Sequence, residues 1–128
     1  MAVQLDHLLI AAHDKRESAY FFTELFGLDD PEPAGFFLAI HLGPNLTLDY
    51  AEPGVDFPGQ HYAFLVGEDD FDAIFGRVQE RGTPYWADPR QQRPGEINRN
   101  DGGRGVYFDD PAGHHLEIIT RRYGSGTD

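Results

Sequence analysis

The apolar and polar positions of residues 3–12 alternate as they do in a β-strand. His7 lies between Leu5 and Leu9 on one face, and the other face is apolar from residue 8 onward. This pattern predicts that the second face packs under a helix and that His7 points away from it.

Two later stretches have the three- to four-residue spacing of apolar positions that is typical of amphipathic helices. The first is predicted to begin at Asp14, which is suited to cap a helix, and to end at Gly27. The second is predicted to begin at Asp69 or Asp70 and to end at Gly82. The apolar positions are Ala19, Phe22, Leu25 and Phe26 in the first helix and Phe71, Ile74, Phe75 and Val78 in the second.

The remaining apolar runs are predicted to be strands, and their order shows an internal repeat. The predicted strands cover residues 28–32, 36–42, 46–50, 61–66, 85–86 and a hairpin within 105–120. A strand, a helix and about three strands therefore occur twice, which predicts an α+β fold of two βαβββ modules that form a curved mixed sheet. The modules are predicted at residues 1–53 and 61–123, with a linker at 54–60 and a flexible tail at 124–128.

Composition narrows the classes of function. The 128 residues include no cysteine, so any metal must be held by nitrogen and oxygen ligands. A net charge of -12 argues against binding to nucleic acid or to an anionic membrane. No apolar run approaches the roughly 20 residues that span a bilayer, and no leader is evident, so a cytoplasmic protein is expected.

Glu117 is the residue that most needs an explanation. It follows a turn, Asp110-Pro111-Ala112-Gly113, and lies between leucine and isoleucine in a predicted strand. Carboxylates are rarely buried unless they are paired or bind a metal. Glu117 is therefore expected to have a partner.

Three stretches resemble the vicinal-oxygen-chelate superfamily, which includes glyoxalase I, extradiol dioxygenases, and fosfomycin- and bleomycin-resistance proteins. They are LDHLLIA near the start, QHYAFLV at the start of the second module and YFDDPAGHHLE near the end. The resemblance implies a cleft in which His7, His61 and Glu117 hold one divalent metal ion. Two imidazoles and a carboxylate suit Fe, Mn, Ni or Zn and leave positions open for a substrate.

The resemblance also implies roles for Asp49 and Tyr107. Asp49 matches a fourth ligand of glyoxalase-like members, where a longer glutamate stands, so it would ligate the metal, act as a base or be an ordinary polar residue. Tyr107 matches a tyrosine of extradiol dioxygenases that positions or protonates the substrate, or it serves packing alone. The upstream histidine of those enzymes is absent, since Asn98, Asn100 and Asp101 occupy that stretch. The other histidines are predicted to be surface or turn residues: His13, His41, His114 and His115.

Several functions are compatible with this pattern. The first is a glyoxalase-type isomerase or lyase, or a related metal-dependent transferase, acting on a small molecule that chelates the metal through adjacent oxygens. Fosfomycin resistance itself is disfavoured because Leu9 replaces an expected threonine. The alternatives are an extradiol-type dioxygenase and a metal-free, bleomycin-resistance-like binding protein.

The resemblance further implies a homodimer with clefts shared between subunits, so that His7 would come from the partner of the chain that supplies His61 and Glu117. The loop at residues 87–104 is rich in arginine. It would either close over an anionic substrate or be an ordinary solvated loop.

Overall fold

The computed structural model describes residues 2–126. The chain divides into two units, and the boundary along the sequence lies between Phe57 and Pro58. This boundary falls within residues 54–60. The first unit contains β1 (His7–Ala11), α1 (Lys15–Phe26), β2 (Glu32–Ala34), β3 (Phe37–Leu42) and β4 (Leu46–Ala51). The second contains β5 (His61–Leu65), α2 (Glu68–Glu80), β6 (Tyr85–Trp86), a short 3-10 turn (Asn100–Gly102), β7 (Gly105–Asp109) and β8 (His115–Ile119).

Both units have the same sheet topology. The strand order is β1-β4-β3-β2 in the first and β5-β8-β7-β6 in the second. In each, the first and last strands of the unit run parallel, and the other pairings are antiparallel. The predicted fold class, α+β with two βαβββ modules, is confirmed, and each unit has a mixed sheet of four strands.

Each sheet buries one face together with the apolar side of its unit's helix. In the first unit, Phe22 and Leu25 of α1 are almost fully buried, as is Tyr50 of β4. In the second, Phe71 of α2 and Phe108 of β7 have no exposed surface. The opposite sheet faces stay open: His7 and His61 are exposed, as the alternation predicts.

The ends of α1 follow the prediction, and the start of α2 does not. The Asp14 carboxylate accepts hydrogen bonds from the first-turn backbone N–H groups, and Gly27 ends α1 in the left-handed conformation, with φ 69°. The α2 cap is Gly67, so the prediction of Asp69 or Asp70 is wrong. A glycine cap offers no side-chain signal, and the two aspartates instead lie in the first turn, where negative charge suits the helix dipole.

Two strand boundaries also differ from the prediction. β1 begins at His7 rather than at residue 3, because its partner β4 begins only at Leu46 and the pairing closes with the Thr47 N–H donating to the Asp6 carbonyl. β2 lies at Glu32–Ala34 rather than at 28–32 because it pairs with β3 across a two-residue turn. No helix in residues 2–126 combines the length and apolar character needed to cross a membrane.

Candidate metal and substrate site

The register of the second sheet places Glu117 at its centre. β8 lies between β5 and β7, and Glu117 pairs with Ala63 on one side and with Tyr107 on the other. Its neighbours Leu116 and Ile118 are buried on the core face, so alternation sends the Glu117 carboxylate to the open face. There the residue is still only 9% exposed.

The partner of Glu117 is His61. The His61 Nε2 atom lies 2.9 Å from Glu117 Oε1. The His61 side chain is half-exposed, whereas that of Glu117 keeps 12% of its surface open. A nitrogen and an oxygen atom that can each bind a metal thus lie next to each other on adjacent strands. The His61 nitrogen belongs to the more exposed side chain. This donor pair fits a divalent transition metal.

Tyr107 completes this group of side chains. Its ring centroid is 5.8 Å from that of His61, and the two rings are tilted by 43°. Burial raises the pKa of the Tyr107 phenol, and the charge of Glu117 and a hydrogen bond to its carboxylate raise the pKa further. The phenol is therefore held in its protonated form, as a hydrogen-bond and proton donor.

A cavity of about 270 Å³ opens beside the three residues. His61, Tyr107 and Glu117 line one part of it, and Asn98, Arg121 and Tyr123 line other parts. Cavities that hold small ligands are of this order of size and carry a few polar groups that converge. The space is suited to a small molecule that reaches the His61 and Glu117 side chains.

Asn98 shapes the cavity wall where extradiol dioxygenases were expected to have a histidine. It is 5% exposed, and its Nδ2 donates to the Ala87 carbonyl at 2.8 Å, while its Oδ1 accepts from the Asn100 N–H at 3.2 Å. Gly105 makes room for it, since a Cβ there would crowd the amide. Asn98 therefore holds the long loop against the sheet.

Arg104 is not a free cation for a substrate. It pairs with Glu68 and Asp72 on α2, each at 2.8 Å, and its guanidinium lies 4.4 Å from the centre of the Phe71 ring. These contacts tie the start of β7 to α2. Among the four loop arginines of the sequence, Arg104 therefore has a structural role.

Arg121 is a cavity residue that the sequence reasoning missed. It is exposed and lines the cavity, with its aliphatic stem against Gly103, where a Cβ would overlap it. Alternation along β8 was the available signal, because Glu117, Ile119 and Arg121 are spaced two residues apart, and all three line the cavity. The cavity is thus lined by the Arg121 guanidinium as well as by the carboxylates of Glu117 and Asp101.

The remaining predicted site residues, His7 and Asp49, lie in the first unit. Asp49 pairs with Leu9 and Ala39, the same register position that Glu117 holds in the second unit. His7 Nδ1 lies 2.7 Å from Asp6 Oδ2, and this hydrogen bond is the main cause that raises the pKa of His7. A carboxylate on Nδ1 is the common arrangement for a histidine that binds metal through Nε2.

Within residues 2–126, the structure shows no group of three or more histidine, aspartate and glutamate side chains ready to hold a metal. His61 and Glu117 are brought together. The participation of His7 and of Asp49 stays a prediction.

The four other histidines divide into two kinds. His13, His41 and His115 are exposed, as predicted. The prediction for His114 is wrong, because this residue is 1% exposed and its Nδ1 accepts a hydrogen bond from the Gln60 N–H at 3.0 Å. Strand alternation with Leu116 explains why: both side chains point to the core face.

Comparisons with known proteins agree with this architecture. A family model described as the Glyoxalase/Bleomycin resistance protein/Dioxygenase superfamily matches residues 4–118. The solved structure named Oxidase ChaP-H2 is 55% identical, covers 99% of this chain and 100% of its own, and has a TM-score of 0.94. Oxidase ChaP-H1 is 51% identical, with 96% and 99% covered and a TM-score of 0.93.

A curated relative carries a different activity in its name. Glutathione transferase FosA of Serratia marcescens is 31% identical over 130 residues, which are 92% of this chain and 81% of that protein.

Proposed function

Because the chain belongs to the glyoxalase/bleomycin resistance protein/dioxygenase superfamily, we propose that it is a metal-dependent enzyme that oxidises a small molecule with molecular oxygen. The observation that carries the proposal is the contact between His61 and Glu117 beside a cavity of ligand size. The match to two oxidases over nearly the whole chain supports oxidation over the other reactions of the superfamily.

His61 and Glu117 would supply two ligands of the metal. Their side chains already approach within 2.9 Å, so small rotations would direct Nε2 and Oε1 at one ion. A bound iron or manganese would supply Lewis acidity and, in the case of iron, electron exchange with oxygen. The buried position of Glu117 limits water around its carboxylate, which strengthens its attraction to a cation.

The third ligand is proposed to be His7 of the partner subunit, in a homodimer. Its hydrogen bond to Asp6 leaves Nε2 as the ligating nitrogen. Asp49 occupies the register position equivalent to Glu117, but its side chain is one methylene shorter, so we assign it a minor part in metal binding.

Tyr107 and Arg121 would act on the substrate. The raised pKa of Tyr107 keeps its phenol protonated, so it would donate a hydrogen bond or a proton to a substrate oxygen near Glu117. Arg121 on the cavity wall would bind an anionic group of the same molecule. The proposed substrate is therefore small, rich in oxygen and negatively charged at one end.

Oxygen consumption tests this proposal. The purified protein is loaded in separate samples with Fe(II), Mn(II), Ni(II) or Zn(II), and oxygen uptake is followed with a panel of catechols and hydroxylated aromatic acids. Uptake that needs iron or manganese, and that disappears in Glu117→Gln, supports the proposal. If the protein binds none of the four metals, the metal-dependent reading is wrong and a metal-free binding protein takes its place.

A thiol transferase is the second candidate, because FosA matches over most of the chain. The same metal-loaded samples are mixed with glutathione and fosfomycin, and the loss of free thiol is measured. Thiol loss without oxygen uptake would replace oxidation by group transfer while leaving the metal site in place. Methylglyoxal and glutathione form a hemithioacetal without an enzyme, so formation of the thioester S-lactoylglutathione, rather than loss of free thiol, tests the isomerase or lyase function.

A further inference from the structure

The chain just before His61 is docked on the turn between β7 and β8, which comprises residues 110–114 and is called the 110–114 turn below. The Gln60 N–H donates to Nδ1 of His114 at 3.0 Å, and the Gln60 carbonyl accepts from the His115 N–H at 2.8 Å. Gly59 lies so close to the turn that a Cβ would overlap the Gly113 carbonyl oxygen. Both backbone groups of Gln60 are thus satisfied by β8 and its turn.

Asp110 gives the 110–114 turn its shape. Its Oδ1 accepts from the Ala112 N–H at 2.9 Å and from the His114 N–H at 2.8 Å. The Asp110 N–H in turn donates to the His114 carbonyl at 2.9 Å. These bonds fix the backbone of His114, and with it the direction in which the imidazole leaves the turn.

The His114 ring is held from the core side as well. It is 1% exposed, and the Tyr62 ring meets it edge-on, with centroids 5.6 Å apart. A ring nitrogen that accepts an N–H bond carries no proton, so the ring proton of His114 is on Nε2. A buried, oriented acceptor of this kind cannot be replaced by water without opening the core.

We infer that His114 is a positioning residue for the metal site: its Nδ1 anchors Gln60, and this anchor sets the place of His61 against Glu117. The inference rests on the proposed function for its consequence, which is metal affinity, but the anchor itself is a property of the protein without metal. His61 begins β5 directly after Gln60, so a displacement of Gln60 moves the histidine that carries Nε2 to Glu117. His114 touches neither metal nor substrate.

The first unit shows what the site looks like without this anchor. Leu46 holds the position that corresponds to His114, since Thr47 follows it and pairs with His7 as His115 pairs with His61. A leucine offers no acceptor for the backbone N–H of the residue before the strand. There the neighbouring Asp6 side chain holds the His7 ring instead, at 2.7 Å.

Two substitutions separate the acceptor from the packing. His114→Leu removes the acceptor and keeps an apolar side chain of similar reach. His114→Asn keeps an acceptor, since its Oδ1 occupies the place of Nδ1. His13→Leu, a surface histidine of the first unit, is the control.

Nuclear magnetic resonance of the metal-free protein tests the anchor. In the wild type we expect slow exchange of the Gln60 amide proton and a cross-relaxation signal between the His61 and Tyr107 rings, whose centroids are 5.8 Å apart. His114→Leu is expected to exchange that amide at least about tenfold faster and to lose the signal, and His114→Asn to restore both. An unchanged ring signal in a folded His114→Leu protein would overturn the inference.

Metal affinity tests the consequence. Titration with Mn(II) or Zn(II) is expected to show affinity about tenfold weaker in His114→Leu, within a few-fold of wild type in His114→Asn, and unchanged in His13→Leu. Equal affinity in His114→Leu and wild type would refute the positioning role. If the wild type binds no metal, the proposed function fails, and the ring signal alone decides on the anchor.

Gly59→Ala gives a second way to disturb the anchor if His114→Leu does not fold. Its Cβ would overlap the Gly113 carbonyl oxygen and push residues 59–60 off the turn. The same loss of Gln60 protection and of metal affinity is expected. Wild-type values for both in Gly59→Ala would count against the inference.

Discussion

The two units share one topology and one register, and among the predicted site residues the second unit brings His61 and Glu117 into contact. Asp49 and Glu117 each lie in the strand next to the histidine-bearing strand, at equivalent register positions. Glu117 contacts His61 at 2.9 Å, whereas His7 contacts its neighbour Asp6 instead. The repeat determines which strand positions can carry a metal-binding side chain. The residue at each position determines whether the side chain can bind a metal.

The two units also differ in the strand that pairs with the carboxylate-bearing strand, which is β7 in the second unit and β3 in the first. In the second unit the residue paired with Glu117 is Tyr107, and in the first unit the residue paired with Asp49 is Ala39. The alanine offers neither a proton nor an aromatic wall. We therefore expect the second unit to carry the chemistry and the first to contribute at most ligands.

The largest expected effect comes from the matched carboxylates. Glu117→Gln should weaken metal binding by more than about 100-fold, because changes in the outer shell of metal sites alone cost 10–100-fold. Asp49→Asn should weaken it by less than about tenfold. Calorimetric titration with Mn(II) or Zn(II) measures both, and equal losses would show that the two units contribute equal ligands.

Tyr107→Phe should lower kcat by about 100-fold and leave metal affinity unchanged, because the lost group is a proton donor. In the metal-free protein the raised pKa of Tyr107 should keep its phenol protonated beyond about pH 10, where a free tyrosine ionises. Oxygen uptake measures kcat, and the ultraviolet absorbance of tyrosinate against pH, compared between metal-free wild type and metal-free Tyr107→Phe, measures the ionisation of Tyr107.

Tyr20→Phe, on α1 of the first unit, is the control and should keep full activity. Ionisation of Tyr107 near pH 10, as for a free tyrosine, would contradict the raised pKa, and full activity in Tyr107→Phe would contradict its role.

Much of this comparison can be predicted from the sequence. Alternation places Glu117 opposite Leu116 and Ile118, and turn residues identify the final hairpin, so the carboxylate and its sheet face follow from the pattern alone. The same alternation carried a signal for Arg121 that is visible only when β8 is extended past Ile119. The fold can be predicted because strand alternation, helix periodicity and turn residues each favour the same elements.

Other features depend on three-dimensional partners. The length of β1 is set by where β4 begins, and no local signal in residues 3–6 reports this. The N-cap of α2 is a glycine, which makes no side-chain hydrogen bond. The sequence pattern therefore favours the neighbouring aspartates as the cap, although they lie inside the helix. His114 lies on the same face as the buried Leu116, so alternation carried a signal for its burial, but its bond to the distant Gln60 depends on the folded chain.

Arg121→Ala should raise the KM for an anionic substrate by about tenfold and change kcat by less than about twofold, as expected for the loss of a charged hydrogen bond. Arg121→Lys should recover part of the affinity, because it keeps the charge but not the planar fork. Steady-state kinetics of oxygen uptake measure both. A fall in kcat at constant KM would place Arg121 in the chemical step instead.

The smallest expected effect is on stability, and it distinguishes the 110–114 turn from the corresponding turn of the first unit. Burial raises the pKa of Asp110, while the equivalent turn of the first unit, at residues 43–45, has no carboxylate. A folded-state pKa above the unfolded value means that stability is lost as pH rises from below about 3.9 through the raised value. Asp110→Asn keeps an acceptor oxygen and should lack this pH-dependent loss.

Denaturant unfolding from about pH 3 to pH 7 compares Asp110→Asn with wild type and with the exposed control Asp56→Asn. The free energy of unfolding of the wild type should fall relative to that of Asp110→Asn as pH rises. A difference in the free energy of unfolding that stays constant across this pH range would show that ionisation of Asp110 does not destabilise the turn.

We propose above all that His61 and Glu117 of the second unit hold the metal. Anomalous diffraction from crystals grown with Zn(II) or Mn(II) tests it most directly. We expect one strong peak per chain at roughly 2.0–2.2 Å from His61 Nε2 and from a Glu117 carboxylate oxygen. A peak bound by other side chains, or no peak from a protein saturated with metal, would contradict it.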